Sequence, residues 1–280
     1  MPYRDILAIV SSVESDGHVL DVAGALARRT DGFVTGLAVE WIPALPTVVE
    51  GWVVDARWGE MVAEARVRLE EHRVELEKAL ANVIDRSAAY SMLVEPGAAR
   101  GAMAVYARRA GITVTARPDK GLLNDQRVAA VESMLFESGR PVLIAPPGWK
   151  GATLGDRPFV CWDSGREAAR ALGDAIPLFG KHGQVVVATV DAKPSIEGHG
   201  DMPGVDISSH LARAGQTVEL RNIDSAGRDE AEAVLDEARA AGADLIVMGG
   251  YGRSRFSEFV FGGMTRNMLA KSEIPILMSH

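Results

Sequence analysis

Short, nearly continuous apolar runs alternate along the chain with longer stretches in which apolar residues recur every three or four positions. In the second half the runs are FVCW (159–162), QVVVATV (184–190), QTVELRNI (216–223), DLIVMGG (244–250) and IPILMS (274–279). Between them lie GREAARALGDAIPLF (165–179), DISSHLARA (206–214), RDEAEAVLDEARAAG (228–242) and TRNMLAK (265–271), which read as helices. Apolar strands that do not alternate with polar residues, separated by helices, predict a parallel sheet covered on both faces. The first half follows the same order. Its first strand is ILAIV (6–10). Its longest helix is expected over roughly Met61–Ile84, where Val62, Ala65, Leu69, Leu76, Leu80 and Val83 form one apolar face.

The order of elements is not the only thing repeated. ARRAGITVTA (107–116) matches ARAAGADLIVM (238–248): a helix end, an Ala-Gly stop and a β-rich run. GRPVLIAPP (139–147) matches SEIPILMSH (272–280), with proline just before a short apolar strand, and DILAIVSS (5–12) matches RPFVCWDS (157–164). Two copies of one α/β unit account for this pattern. The Pro- and Gly-rich stretch PPGWKGATLGDRP (146–158) marks the boundary, giving domains 1–147 and 158–280 joined by a linker at 148–157. Each copy ends on a short apolar strand, PVLIA (141–145) or PILMS (275–279). An apolar edge left open invites aggregation, so the two strands are expected to pair and make an intramolecular pseudo-dimer. The first copy alone carries an insert, WIPALPTVVEGWVVDARWGE (41–60), which reads as a surface loop or as a lid over a ligand.

Composition narrows the functional classes. A hydrophobic content of 47% with 24% charged residues is that of a globular protein. A net charge of −8 argues against nucleic acid as a partner, since phosphate neutralisation needs a basic face. No apolar run is long enough to span a bilayer, and the single cysteine, Cys161, excludes an intrachain disulfide. A cytoplasmic protein is the expectation.

The strongest chemical signal is the segment Met248–Arg266, MGGYGRSRFSEFVFGGMTR. It leaves the carboxyl end of a strand, where ligands settle in open α/β sheets. A turn of Gly249, Gly250 and Gly252 can aim backbone N–H groups at an anion. Gly262 and Gly263 open the next helix, whose first N–H groups and positive dipole end can face the same anion, with Thr265 adding a hydroxyl. The spacing is G-x2-G-x9-G. It is neither the P-loop pattern nor the complete dinucleotide fingerprint. Asp163 ends the first strand of the same copy, on the same rim. Its carboxylate can accept from a ribose hydroxyl or an adenine amino group, or it can cap the helix that follows.

CWDSGREAARAL together with ADLIVMGGYGRSRFSEFVFGGMTR and IPIL resembles a universal stress protein domain, and the doubled chain resembles the tandem form of that family. The resemblance implies an adenine-nucleotide alpha-hydrolase-like, Rossmann-like layering with five parallel strands per domain. It implies dimer-like pairing of the domains, a role in stress tolerance, and ATP or AMP as ligand in some members. By position it assigns Asp163 to the base and ribose, Met248, Gly249, Gly250, Tyr251 and Gly252 to the first phosphate loop, and Gly262, Gly263, Met264 and Thr265 to the second. Two residues depart from the family pattern. Gly263 stands where ATP-binding members carry Ser or Thr, and Asp163-Ser164-Gly165 replaces the common Asp-Gly-Ser. In the first copy Ser11 falls where Asp163 would be, and ARPDKGLLNDQRVAAVESML (116–135) replaces the glycine segment, Gly121 alone standing for Gly252. Nucleotide is therefore expected in the second domain only.

Other candidates are weaker. Glu197, His199 and Asp201 have metal-ligand chemistry but lack a fourth partner and read as a solvated loop. Arg253, Arg255 and Arg266 flank the glycines and suit either phosphate or solvent. Cys161 reads as a small buried residue. No nucleophile elbow or other catalytic constellation occurs, so a non-enzyme is expected. Two classes remain: a nucleotide-binding stress protein, and a protein-interaction module of the same fold whose glycine loop is empty.

Overall fold

The apolar runs become strands and the amphipathic stretches become helices, in one order used twice. The computed structural model describes residues 3–42, 53–94, 99–118, 124–181, 183–193, 203–250 and 263–280. The N-terminal half runs β1 (Asp5–Val10), α1 (Val13–Thr30), β2 (Phe33–Trp41), α2 (Val53–Val83), β3 (Ser87–Val94), α3 (Ala99–Ala107), β4 (Ile112–Ala116), α4 (Asn124–Glu137) and β5 (Val142–Ala145). The C-terminal half runs β6 (Pro158–Cys161), α5 (Arg166–Ala175), β7 (Gln184–Val190), α6 (Val205–Arg213), β8 (Thr217–Ile223), α7 (Glu230–Ala240), β9 (Leu245–Gly249), α8 (Gly263–Lys271) and β10 (Ile276–Ser279).

The ten strands among the described residues belong to one open sheet in the order β3-β2-β1-β4-β5-β10-β9-β6-β7-β8. Every neighbouring pair is parallel except the central one. There β5 and β10 run antiparallel, with Leu143 opposite Leu277, Ile144 opposite Ile276 and Val142 opposite Met278. The two terminal strands thus cover each other's edges, as the edge argument requires, and the halves are related by a local two-fold through this pair.

The repeat extends to single hydrogen bonds. Ser138 and Ser272 each turn the chain from the last helix of a half into its last strand. The Ser138 hydroxyl accepts the Arg140 N–H at 3.0 Å and the Ser272 hydroxyl accepts the Ile274 N–H at 3.1 Å. The linker is fastened by Asp244, whose carboxylate accepts the N–H groups of Gly155, Asp156 and Arg157 at 3.0, 2.9 and 3.0 Å. Arg29 of α1 also pairs with Asp156 at 2.7 Å.

An apolar layer lies on each face of the sheet, and both layers draw on both halves. One contains Leu26, Leu76, Leu80, Leu172, Leu178 and Leu211. The other contains Met103, Met134, Leu135, Val234, Met268 and Leu269. Ala65, Leu69, Leu76 and Leu80 of the expected α2 stripe are buried, and Val62 and Val83 at its ends are half-buried.

Two elements differ from the expectation. Helix α2 begins at Val53, so the last part of the 41–60 insert is helical. Trp41 closes β2, and residues 43–52, where a loop or lid was expected, lie outside the described residues. The stretch 165–179 is not one helix. After α5 it tightens into a single 3-10 turn, Ile176–Leu178, because Pro177 has no N–H to continue the helical ladder. Among the described residues no helix is long and apolar enough to cross a membrane.

Candidate functional site

The carboxyl ends of β6 and β9, paired neighbours, bring Asp163 and the start of the glycine segment onto one rim. Residues Tyr251, Gly252 and Gly262, like Arg253 and Arg255, lie outside the described residues, as do Glu197, His199 and Asp201. The remaining candidates are placed as follows.

Asp163 is exposed just beyond β6, and its Oδ1 accepts the Gly165 N–H at 2.8 Å. Gly165 is the N-cap of α5 and has no side chain to offer the helix. The carboxylate two residues earlier tightens the turn that launches α5 and keeps its place on the rim, but it does not cap the helix, whose N-cap is Gly165 with no side-chain cap bond. Between them Ser164 adopts a left-handed conformation, φ 61°. The family's usual Asp-Gly-Ser would put glycine at this position, where it costs nothing.

Met248, Gly249 and Gly250 turn out to be shaped by packing. The Met248 side chain is buried in the sheet's apolar layer. A Cβ on Gly249 would lie 2.6 Å from the Ala168 nitrogen and 2.7 Å from the Glu167 carbonyl carbon, so the first turn of α5 rests directly on this strand end. A Cβ on Gly250 would lie 2.5 Å from Cδ2 of Leu135, which belongs to α4 of the other half. The Gly250 N–H already donates to the Ser279 carbonyl at 2.8 Å, extending the ladder to β10. Of the expected phosphate-facing glycines, these two therefore have a structural reason to be glycine.

Gly263, Met264 and Thr265 open α8. Gly263 is exposed, and a Cβ there would meet nothing within 4 Å among the described residues. Thr265 is buried, Met264 half-buried and Arg266 exposed. Among the described residues nothing crowds the end of the helix that an anion would approach.

Two residues that sequence reasoning passed over complete the rim. Glu167, in the first turn of α5, is buried and paired with Arg166. Burial pushes its carboxyl up, but the Arg166 hydrogen bond, its own backbone N–H and the charges of Arg166 and His280 outweigh this and hold it low. His280 places Nδ1 3.1 Å from the Gly250 carbonyl oxygen and stacks edge-on against Phe136 of α4 at 4.8 Å. Cys161 lies on the inner side of the rim. Burial, with the Asp163 charge behind it, pushes its thiol up to about 12, which suits a packing residue and not a nucleophile.

The two-fold shows what the other half carries in the same place. Leu143 and Leu277 are equivalent by their pairing. Val114 stands beside Leu143 as Val247 stands beside Leu277, and Ala8 stands beside Val114 as Val160 stands beside Val247. Three residues further on, Ser11 and Asp163 share a position. Likewise Ala116 and Arg117 take the places of Gly249 and Gly250. The equivalence is visible in the backbone too: Arg117 N–H donates to Ala145 O at 2.8 Å, as Gly250 N–H does to Ser279 O. At the N-terminal rim an ion pair fills the space by the strand end. The Asp16 carboxylate accepts the Ser11 N–H at 2.8 Å and pairs with Arg127 of α4 at 2.6 Å. Neither residue carried a motif, and they lie 111 positions apart.

Comparison with known proteins bears on the same half. Residues 159–280 match the universal stress protein family. The stress response protein NhaX of Bacillus subtilis (strain 168) is 35% identical over 57 residues, a stretch that is 20% of this chain and 34% of that protein, so the match spans about a third of that relative's length. Among solved structures, a universal stress protein from Archaeoglobus fulgidus DSM 4304 superposes with a TM-score of 0.71 at 16% identity, covering 98% of this chain and 95% of that one. A functionally unknown protein from Pseudomonas aeruginosa PAO1 superposes at 0.51 with 14% identity, covering 99% and 92%. At these identities the structural matches speak to fold alone, and they extend it over both halves. Residues 159–280 belong to the universal stress protein family, and the chain builds that domain's fold twice in tandem.

Proposed function

We propose that the C-terminal half binds an adenine nucleotide, ATP or AMP, weakly, on the rim between Asp163, the end of β9 and the first turn of α8, and that the N-terminal half serves as its structural partner. Membership of the family supports a role in stress response. The observation that carries the nucleotide reading is the asymmetry of the two rims. The C-terminal one presents a carboxylate beside a strand that feeds a glycine segment, and a helix start at Gly263 that is uncrowded among the described residues. Its N-terminal counterpart has Ser11 for the carboxylate, Ala116 and Arg117 for the glycines, and an ion pair in the space. In this reading the Asp163 oxygen atoms accept from the ribose or the base, and the first N–H groups of α8 face phosphate. No reaction is assigned to the protein.

The second reading is an interaction module with an empty loop. It is favoured by the packing of Gly249 on α5 and of Gly250 on Leu135, which accounts for both glycines without a ligand. Two measurements together separate the readings. Mass spectrometry of the denatured, purified protein reports whether adenine nucleotide accompanies it. Titration of wild type and Asp163→Ala with ATP and AMP reports whether binding depends on the rim. Binding that Asp163→Ala abolishes supports the nucleotide reading, and no binding by either method supports the module.

A further inference from the structure

Asp16 is a carboxylate with the surroundings of a bound anion. It is 1% exposed. Its Oδ2 accepts the Ser11 N–H at 2.8 Å, and its Oδ1 accepts the Ser15 hydroxyl at 3.0 Å and Arg127 Nη2 at 2.6 Å. These donors come from three places: the end of β1, the first turn of α1 and helix α4. The backbone is bent to deliver the carboxylate, since at Asp16 the helix leaves helical geometry, with φ −113° and ψ 15°. A buried carboxylate costs folding free energy unless donors surround it, so the donors and the group they hold belong to one arrangement. The neighbourhood is polar beyond the pair. His18, 8% exposed, has a buried Nε2 with no hydrogen-bond partner among the described residues. The charges acting on it are those of Asp16, Arg127, Asp21 and Arg117.

We propose that the N-terminal half contains an anion site at the end of β1 whose occupant is the chain's own Asp16 carboxylate, an autoinhibitory contact that keeps external anions out of this half. The ligand class of the site is a small oxyanion, carboxylate or phosphate, held by the Arg127 guanidinium, the Ser11 N–H and the Ser15 hydroxyl. The site lies at the position where the other half carries Asp163. The tether therefore makes this half structurally complete without ligand, and it leaves the chain with one rim open and one closed from within. This goes beyond the nucleotide reading and stands whether or not the C-terminal rim binds ATP.

The test is chemical rescue in the full-length protein. Asp16→Ala removes the carboxylate and leaves a space of about formate size among the same donors. Thermal unfolding is followed with sodium formate or inorganic phosphate, against sodium chloride at matched ionic strength. If formate binds with a Kd of about 10 mM, 100 mM formate shifts the folding equilibrium of the variant about tenfold. The expected result is a formate- or phosphate-dependent rise in midpoint for Asp16→Ala, absent in wild type and in Asp16→Ala/Arg127→Met. Asp16→Asn, whose amide fills the space, is expected to be folded and unresponsive. Should Asp16→Ala not fold during expression, its refolding yield from denaturant is compared in formate and in chloride, and a higher yield in formate supports the site. Equal midpoints, or equal yields, in formate, phosphate and chloride overturn the proposal. So does a response that survives Arg127→Met.

Discussion

Gly250→Ala separates the packing role of the glycine segment from its ligand role. The added methyl would sit 2.5 Å from Cδ2, 3.3 Å from Cγ and 3.5 Å from Cδ1 of Leu135. Carbon atoms pack best at about 3.5–4.0 Å, so the overlap with Cδ2 is about 1 Å. Gly250 is not in the left-handed region, so alanine costs no backbone strain there. Leu135 is 2% exposed and cannot swing into solvent. An overpacked methyl of this kind costs about 1–3 kcal/mol. Leu135→Ala alone leaves a cavity and costs about 2–5 kcal/mol. In the double variant the new methyl fills part of that cavity, so the two costs are expected to fall short of their sum by about 1–2 kcal/mol. Urea unfolding of the four proteins, followed by circular dichroism, measures the coupling. ATP titration of folded Gly250→Ala is expected to match wild type, because the Gly250 N–H is already given to Ser279. Additive costs, or a stable Gly250→Ala that has lost nucleotide affinity, would refute the packing account.

Three further outcomes are expected. With φ of 61° at Ser164, glycine at that position should be more stable than alanine by about 1 kcal/mol, measured on Ser164→Gly and Ser164→Ala so that loss of the hydroxyl cancels; equal stability would mean that the turn relaxes. Burial, assisted by Arg127 and Arg117 and opposed by Asp16 and Asp21, lowers the His18 pKa below its ordinary value, so the unfolded chain takes up a proton first. The His18 contribution to stability is thus complete above about pH 6.5 and is lost as pH falls toward the lowered folded value, at no more than about 1.4 kcal/mol per pH unit. His18→Leu should flatten this part of the stability profile, and an unchanged slope would assign it elsewhere. Because a Cβ at Gly263 would meet nothing within 4 Å among the described residues, Gly263→Ser should fold as wild type does. Its hydroxyl, donating to a charged phosphate, adds roughly 1.5–3 kcal/mol, or about ten- to a hundredfold in ATP affinity; no gain by calorimetry would show that phosphate does not reach the start of α8.

What was legible in the chain was local or repeated. Val- and Ile-rich runs with helices between them are strands in a parallel sheet because only such runs can be buried on both faces, and every expected strand of the C-terminal half is present. The pairing of PVLIA with PILMS was legible because each copy ends on the same kind of apolar edge. The start of α2 at Val53 was not, although Val54, Trp58, Met61 and Ala65 already keep the three- and four-residue steps, because Gly51 and Gly59 on either side of the first two break a helical reading. The site was legible only in part. Asp163 and the glycine spacing announce themselves, but the reasons for Gly249 and Gly250 lie in α5 and in Leu135 across the two-fold, and contacts of that range leave no sequence period. Asp16 and Arg127 are hidden in the same way. Each looks like an ordinary helix-surface charge until the fold brings α1 and α4 to the end of β1.

The central claim is that this doubled chain has one open rim and one closed rim. Isothermal titration calorimetry of the full-length protein with ATP and with AMP tests it most directly, run on wild type and on Asp163→Ala. The account expects one nucleotide per chain for wild type and none for Asp163→Ala. Two equivalent sites per chain, or a single site untouched by Asp163→Ala, would contradict it.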